Sequence, residues 1–531
     1  MNDSARSRRE FIRAAGFGTA AIVVSGWSLG LKEGERRPNF LFIMTDDHGY
    51  QAISCYGSRI NKTPNIDRLA QDGVRFTRAF CTNSICAPSR AVMLTGKYSH
   101  LNGVLDNGII FDGSQLTFPK LLRQAGYQTA LFGKWHLKSD PTGFDYWNIL
   151  PGQGQYYNPD FIEMGFPTRR RGYATNLITD DCLDWLRTRD VKRPFAVLLH
   201  HKAPHRNWMP DARHLSMYEN TDVPLPETFF DDYATRSDAA RLQTMRIADV
   251  LRLATDLKVK PGSKPGYESP GEKADRDAWN AVYARFDEEQ RKAWDEAYGA
   301  SNESFLKADL KGDALAKWKY ERYIKDYLRC IASVDDNVGR VLDYLDESGL
   351  AQNTMVVYTS DQGFYLGEHG WFDKRFMYEE SLRMPLIVRY PEEIHAGVSD
   401  QMVMNLDFAP SFLDYAGVPV PKDMQGRSLK SILNRNVASD WREAIYYHYY
   451  EYPAEHSVKR HYGIRTKRYK LIHFYFDIDA WELYDLEKDP HELVNLYDNP
   501  SYALTVLELR EELERLRRQY GDTDEKRYLP R

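Results

Sequence analysis

Four stretches of this 531-residue chain share one pattern, an unbroken apolar run that stops on charged or imidazole side chains. Residues 38–45 end at Asp46, Asp47 and His48, and 127–132 lead into Gly133, Lys134, Trp135 and His136. Residues 194–199 lead into His200, His201, Lys202 and His205, and 354–360 into Asp361 and Gln362. Continuous apolar runs of this length predict strands buried on both faces, as in a parallel sheet. Helical periods lie between them at 66–73 and 116–126, and a long one runs from Tyr320 through Tyr327, Val334 and Val341 to Leu345. Strand and helix in alternation predict an α/β fold, a mostly parallel doubly wound sheet with helices on both faces. Ligands of such sheets sit outside the carboxyl ends of the strands, so the four charged tips are expected to meet at one site.

The rest of the chain has other textures. Residues 231–318 are rich in Asp, Glu, Lys and Ala and are broken by Pro and Gly at 261–266. They predict a largely helical insertion on the surface, a solvated elaboration first and a contributor to substrate choice second. The charged and aromatic segment 368–381 precedes a further strand at 385–390 and reads as a binding loop. From about Trp441, short aromatic runs at 445–450, 461–466, 469–474 and 482–486 predict an antiparallel sheet, capped by a helix over 501–520. The expected organisation is a catalytic domain over 36–435 followed by a smaller C-terminal α+β subdomain over 436–531.

A net charge of −5 argues against nucleic acid as an electrostatic partner, but leaves room for a locally basic pocket that takes an anion. Five cysteines are too few for a disulfide scaffold, and an odd number leaves at least one unpaired. Arg8 and Arg9 stand before a weakly apolar run over 14–31, the pattern of a twin-arginine signal peptide over 1–35. The twin-arginine translocase is then an expected partner, and the expected location is periplasmic or extracellular. Glycines and serines interrupt the run, unlike a permanent membrane span.

The densest chemistry lies at 86–96. Pro88 suits a first helical turn and Gly96 the position past a helix end, so a short helix over 89–94 is predicted with Cys86 just ahead of it. Free N–H groups there favour an anion, and Arg90, one turn on, offers a fork of donors to a tetrahedral oxyanion. The adjacent carboxylates of Asp46 and Asp47 repel unless a cation joins them, and hard oxygen donors suit Ca²⁺ or Mg²⁺.

Cys86, Pro88, Ser89 and Arg90, followed by Leu94, Thr95 and Gly96, resemble the signature of the sulfatase family. The likeness extends to Asp46 and Asp47, to Gly133 through His136, to Ala203, Pro204 and His205, to Ser360 through Gly363, to Lys374 and to 482–496. It implies that Cys86 is oxidised to formylglycine, whose hydrate is the nucleophile, by a formylglycine-generating or anaerobic sulfatase-maturating enzyme. It implies a Ca²⁺ ion, with Mg²⁺ the alternative, held by Asp46, Asp47, Asp361, Gln362 and the modified Cys86. Arg90, Lys134 and Lys374 would neutralise sulfate oxygens, His205 would protonate the leaving alcohol, and His136 would orient the hydrate or remove its second proton. Gln362 stands where the family commonly has Asn, with a longer arm.

Residues 372–379 resemble glycan sulfatases, particularly those acting on N-acetylglucosamine 6-sulfate. Asp373, Arg375, Arg460 and His461, set among many tyrosines, are expected to line a sugar pocket. The function this implies is hydrolysis of sulfate esters on sugars or polysaccharides. Two other functions fit the same residues: a phosphate or phosphonate monoester hydrolase on the same fold, and a non-enzymatic binder of sulfated glycans. No clear second-metal ligand set is evident in the sequence, which weighs against a two-metal phosphatase.

Overall fold

The run at 38–45 becomes the strand β1 (Asn39–Thr45), and every residue of it is buried. The computed structural model describes residues 37–261 and 270–528, so the expected signal segment at 1–35 lies outside the described residues. The other strands of the main sheet are β2 (Val74–Phe76), β3 (Gln128–Lys134), β4 (Tyr146–Leu150), β5 (Asp160–Glu163), β6 (Phe166–Arg169), β7 (Phe195–His200), β8 (Thr354–Ser360), β9 (Leu386–Arg389) and β10 (Gly397–Ser399). Their spatial order is β10-β2-β9-β8-β1-β7-β3-β4-β5-β6. The four strands with charged tips, β8, β1, β7 and β3, are thus neighbours, and they pair in parallel. Register keeps their ends level: Thr45 lies beside Ser360, and both Met44 and Gly133 lie beside His200. The residues that follow therefore emerge together.

Away from this centre the sheet is mixed. β9 is antiparallel to β8 and to β2, and β5 is antiparallel to β4 and β6. The β5–β6 hairpin has no apolar run to betray it, because β6 is wholly exposed.

Side chains of β1 alternate between two hydrophobic clusters. Phe40, Phe42 and Met44 join one, with helices α2 (Cys86–Thr95), α3 (Phe118–Gln124) and α6 (Phe408–Tyr415). Leu41 and Ile43 join the other, with α1 (Pro64–Asp72), α4 (Ala174–Thr188) and α5 (Gly312–Glu347). Each such Phe or Leu contributes about 1.5–3 kcal/mol on burial, so both faces of the sheet need their helices.

Residues 231–318 differ from the expected solvated insertion. Helices span Pro270–Tyr283 and Glu288–Ala308, the second opened by a capping box between Asp287 and Gln290. Trp279, Phe286, Trp294 and Tyr298 sink into the second cluster, and Asp256 and Lys258 are buried. The segment is helical over much of its length, as expected, and most of its charged positions stay exposed, but these aromatic side chains anchor it in the core.

A separate antiparallel sheet follows, β11 (Ala444–Tyr449), β12 (His461–Thr466), β13 (Tyr469–Phe474) and β14 (Ala480–Asp485). Helix α7 (Ala503–Tyr520) covers it with Leu509, Leu513 and Leu516. The small sheet also grips the loop after β8. Arg465 and Lys470 hold Glu379 at 3.1 and 3.0 Å, and Tyr378 donates to Glu482 at 2.7 Å. All five thiols are free.

Candidate active site

Cys86 is the first residue of α2, one turn earlier than the pattern predicts. Extended Ile85 precedes it, and Gly96 ends the helix in the left-handed region at φ 64°, its N–H bonded to the Val92 carbonyl. Burial pushes the Cys86 thiol up to about 12, so it is protonated, and Sγ lies 3.5 Å from Asp46 Oδ1.

The strand tips do converge. One ligand atom each from Asp46, Asp47 and Asp361 lie within 4.8 Å of one another, and so do those of Asp46, Cys86 and His205. Asp47, two residues past β1, takes a left-handed φ of 66°, and its carboxylate meets Gln362 and Lys374. Asp361 Oδ1 accepts the Asp47 N–H at 3.1 Å, and Oδ2 accepts Arg90 Nε and Nη2 at 3.2 and 3.0 Å. Burial, reinforced by Asp361, raises Asp47 to about 7 despite the opposing charge of Lys374.

The long arm of Gln362 reaches this cluster: Nε2 donates to Asp47 Oδ1 at 2.5 Å, and its buried Oε1 has no partner. Three converging carboxylates and an orphaned amide oxygen fit a hard dication. Asp46, Asp47, Asp361 and Gln362 are the residues placed to hold one.

Cations surround the carboxylates. Lys134 Nζ bonds to Asp46, and Lys374 Nζ donates to Asp47 Oδ2 at 2.8 Å. Burial holds Lys134 well below the usual lysine range. It opposes the Lys374 charge too, but Asp373 and Asp47 outweigh it and raise that lysine. His205 donates from Nδ1 to the Arg206 carbonyl at 2.6 Å, leaving Nε2 3.7 Å from Asp47 Oδ2. Burial and the nearby lysines hold His205 well below the ordinary histidine range, and the same causes bring His136 to about 2. Both rings are neutral. Lys202, beside them and buried, had no motif to mark it.

The sugar-side expectations divide. Asp373 Oδ2 lies 3.0 Å from His456 Nε2, and Arg375 donates to Tyr449 at 3.2 Å and to Glu451. His456 was not legible, since it arrives from a chain segment 83 residues after Asp373. Arg460 and His461 depart from the expectation of a substrate role. His461 is fully buried, with Nδ1 on the Lys459 carbonyl at 2.8 Å and Nε2 on the Met377 N–H at 3.1 Å. Arg460 spends its Nε on the Tyr450 carbonyl at 3.0 Å and its Nη2 on that of Tyr452. Backbone groups of the adjoining loops hold both nitrogens of His461 and two of the three nitrogens of Arg460.

Carboxylates placed for a dication, a residue at a helix N-terminus, and buried cations gathered beside them form an ester hydrolase site for anionic substrates. Comparison narrows that class. Residues 38–418 match the family model Sulfatase, and 367–519 match N-sulphoglucosamine sulphohydrolase, C-terminal. An N-acetylglucosamine-6-O-sulfatase of Bacteroides thetaiotaomicron is 52% identical over 514 residues, covering 95% of this chain and 90% of that protein. An arylsulfatase of Clostridium perfringens is 26% identical over 93% of this chain and 97% of its own. A solved structure in complex with its substrate D-glucosamine-2-N,6-O-disulfate is similar at TM-score 0.88 and 53% identity, covering 92% of this chain and 99% of that one. The chain belongs to the sulfatase family, and it is a sulfuric ester hydrolase.

Proposed function

We propose that this sulfatase is exported and removes the 6-O-sulfate of a glucosamine or N-acetylglucosamine unit, using a formylglycine made from Cys86 and a Ca²⁺ ion, with Mg²⁺ the alternative. The observation that carries the reading is the approach of Cys86, Asp46 and His205 within 4.8 Å beside Asp47 and Asp361. The 52% identity to an N-acetylglucosamine-6-O-sulfatase supports the substrate class. The buried, protonated thiol supports the need for modification, since a neutral thiol is a poor nucleophile. Twin-arginine export carries folded proteins, so the maturating enzyme would act in the cytoplasm first.

When bound, the ion supplies Lewis acidity at sulfate oxygens, and the hydrated aldehyde supplies the attacking hydroxyl with a second hydroxyl for later release of sulfate. The chain's own residues do the rest. Arg90 fixes Asp361 through its two charge-assisted bonds. Lys134 and Lys374 hold ammonium groups against Asp46 and Asp47, within a side-chain rotation of an arriving oxyanion. His205 has its single proton on Nδ1, committed to Arg206, so Nε2 is the free lone pair, placed to take the proton that the attacking hydroxyl gives up and to pass it to the leaving alcohol. His136, with a buried unpartnered Nδ1, is the second group placed to hold a proton there.

Two measurements test this reading. The tryptic peptide containing Cys86 should be about 18 Da lighter than its thiol form, as conversion of CH₂SH to CHO requires. The purified enzyme should release sulfate from N-acetylglucosamine 6-sulfate in preference to its 3-sulfate and to galactose sulfates. Full activity with an intact thiol refutes the mechanism, and preference for a galactose sulfate refutes the substrate.

A further inference from the structure

We propose that Lys202 and Gln155 form a subsite for a second anionic group on the substrate, beside the ester that reacts. The proposal rests on the sugar-sulfatase reading above. Lys202 follows the end of β7 by two residues and is 4% exposed. Its Nζ makes one long contact, 3.4 Å to the Arg206 carbonyl, and stands 4.7 Å above the Tyr156 ring.

The other buried lysines are held by a carboxylate or by one short bond, Lys319 by the Ala248 carbonyl at 2.6 Å and Lys459 by the Tyr452 hydroxyl. Lys374 has Asp47 at 2.7 Å, Lys258 has Asp326 at 3.2 Å and Lys470 has Glu492 at 2.6 Å. Lys202 has no carboxylate at ion-pair distance among the described residues. A buried ammonium without a counter-charge is costly, and a chain keeps one where a ligand completes it.

The surroundings fit a small anion. Lys202 lines a cavity of about 70 Å³ with Gln155, Tyr156, Tyr157 and Asn207. That is room for a few waters, hence for one sulfate, sulfamate or carboxylate group and not for a sugar ring. Gln155 Oε1, buried on the same wall, has no partner and can accept the N–H or O–H next to such a group. The cavity lies against the reacting centre: Tyr156 donates to the His205 carbonyl at 2.6 Å, and the Lys202 charge acts on Asp47 and Cys86. None of Asp46, Cys86, Arg90, Lys134 or Lys374 is among the lining residues, so it is a neighbouring compartment. The reacting sulfate already has Arg90, Lys134 and Lys374.

The test is calorimetric binding to the full chain carrying Cys86→Ala, with and without Lys202→Met. Three probes are used: N-acetylglucosamine 6-sulfate, glucosamine 2-N,6-O-disulfate, and a disaccharide of glucosamine 6-sulfate with a uronic acid. Lys202→Met should weaken a probe with the second anion by about tenfold or more, and the monosulfate by at most about twofold. Whichever dianionic probe loses more identifies the source, sulfamate or uronate. Lys202→Arg should recover most of the loss, and Gln155→Ala should reproduce it in smaller measure. Melting of Lys202→Met at or above the parent temperature shows that the fold is kept. Equal losses on all three probes place Lys202 on the reacting sulfate and overturn the subsite alone, as does no loss on any. Failure of all three to bind the Cys86→Ala parent overturns the sugar reading, and the subsite with it.

Discussion

Asp256 lies in the segment expected to be a solvated elaboration, yet it is fully buried and holds the loop that carries His205. Arg206 makes a fork on it, Nε to Oδ1 at 2.9 Å and Nη2 to Oδ2 at 2.6 Å. Asn207 Nδ2 and the Arg252 N–H add bonds at 2.8 and 2.9 Å. The Arg206 carbonyl in turn accepts from His205 Nδ1 at 2.6 Å. Replacing Asp256 with Ala strands a mostly buried guanidinium, a loss of about 3–5 kcal/mol for a buried pair. The lower end applies, because Arg206 keeps Glu455 at 3.7 Å on the open side. Asp256→Asn keeps the shape and one acceptor, and should lose about 1.5–3 kcal/mol.

Activity should fall with stability. A catalytic group displaced by about 1 Å loses on the order of 100-fold in rate, so kcat should fall by about 10–100-fold while KM moves less. The pH dependence has a definite sign. Burial opposes the Asp256 charge, but Arg206 outweighs it and sets the folded pKa below the ordinary 3.8. Its contribution is therefore full above pH 3.8 and is lost as pH falls through the folded value. Urea unfolding of wild type and Asp256→Ala should show the same difference at pH 7 and pH 5, shrinking only in stronger acid. Wild-type kcat and urea midpoint in Asp256→Ala would refute the clamp.

Removing divalent ions with a chelator should abolish sulfate release and lower the melting temperature, and Ca²⁺ should restore both; full activity after exhaustive chelation counts against the cation site. Gln362→Leu removes the orphaned oxygen and should weaken Ca²⁺ binding by roughly tenfold or more in a calorimetric titration. Gly133→Ala should be destabilised by about 1–3 kcal/mol from backbone strain alone, because Gly133 has φ +96° and an added Cβ would lie 2.0 Å from the His200 carbonyl oxygen. A wild-type unfolding midpoint for Gly133→Ala would contradict that packing.

The legible part of the fold is the part whose signal is local. Strands β1, β3, β7 and β8 are apolar runs, and a run buried on both faces needs no partner to be seen. Their adjacency in the sheet is what the charged tips implied, since a ligand can touch all four only if they are neighbours. The β5–β6 hairpin was illegible because half of it faces solvent and shows no apolar run. The insertion misled for the opposite reason. Its composition is polar on average, but Trp279, Phe286, Trp294 and Tyr298 are spaced to reach one cluster, and composition does not record which face a ring takes.

The same distinction explains the site. A charge just past a strand end shows that a site exists, and Asp46, Asp47, Lys134 and Asp361 were visible on that ground. What a side chain does there depends on what opposes it, and opposition is a long-range fact. His461 looked available until the Met377 N–H and the Lys459 carbonyl took both its nitrogens. Lys202 stands among the charged strand tips in the sequence, but only the fold shows it buried with one long hydrogen bond and no carboxylate at ion-pair distance among the described residues. Lys374 and Lys202 flank the same carboxylate field with the same functional group. Asp47 and Asp373 pin the first in place, whereas the second is left with one long bond and a ring face. A positive charge so placed waits for an anion from outside, which makes substrate choice, and not the common chemistry of the centre, the natural task for Lys202.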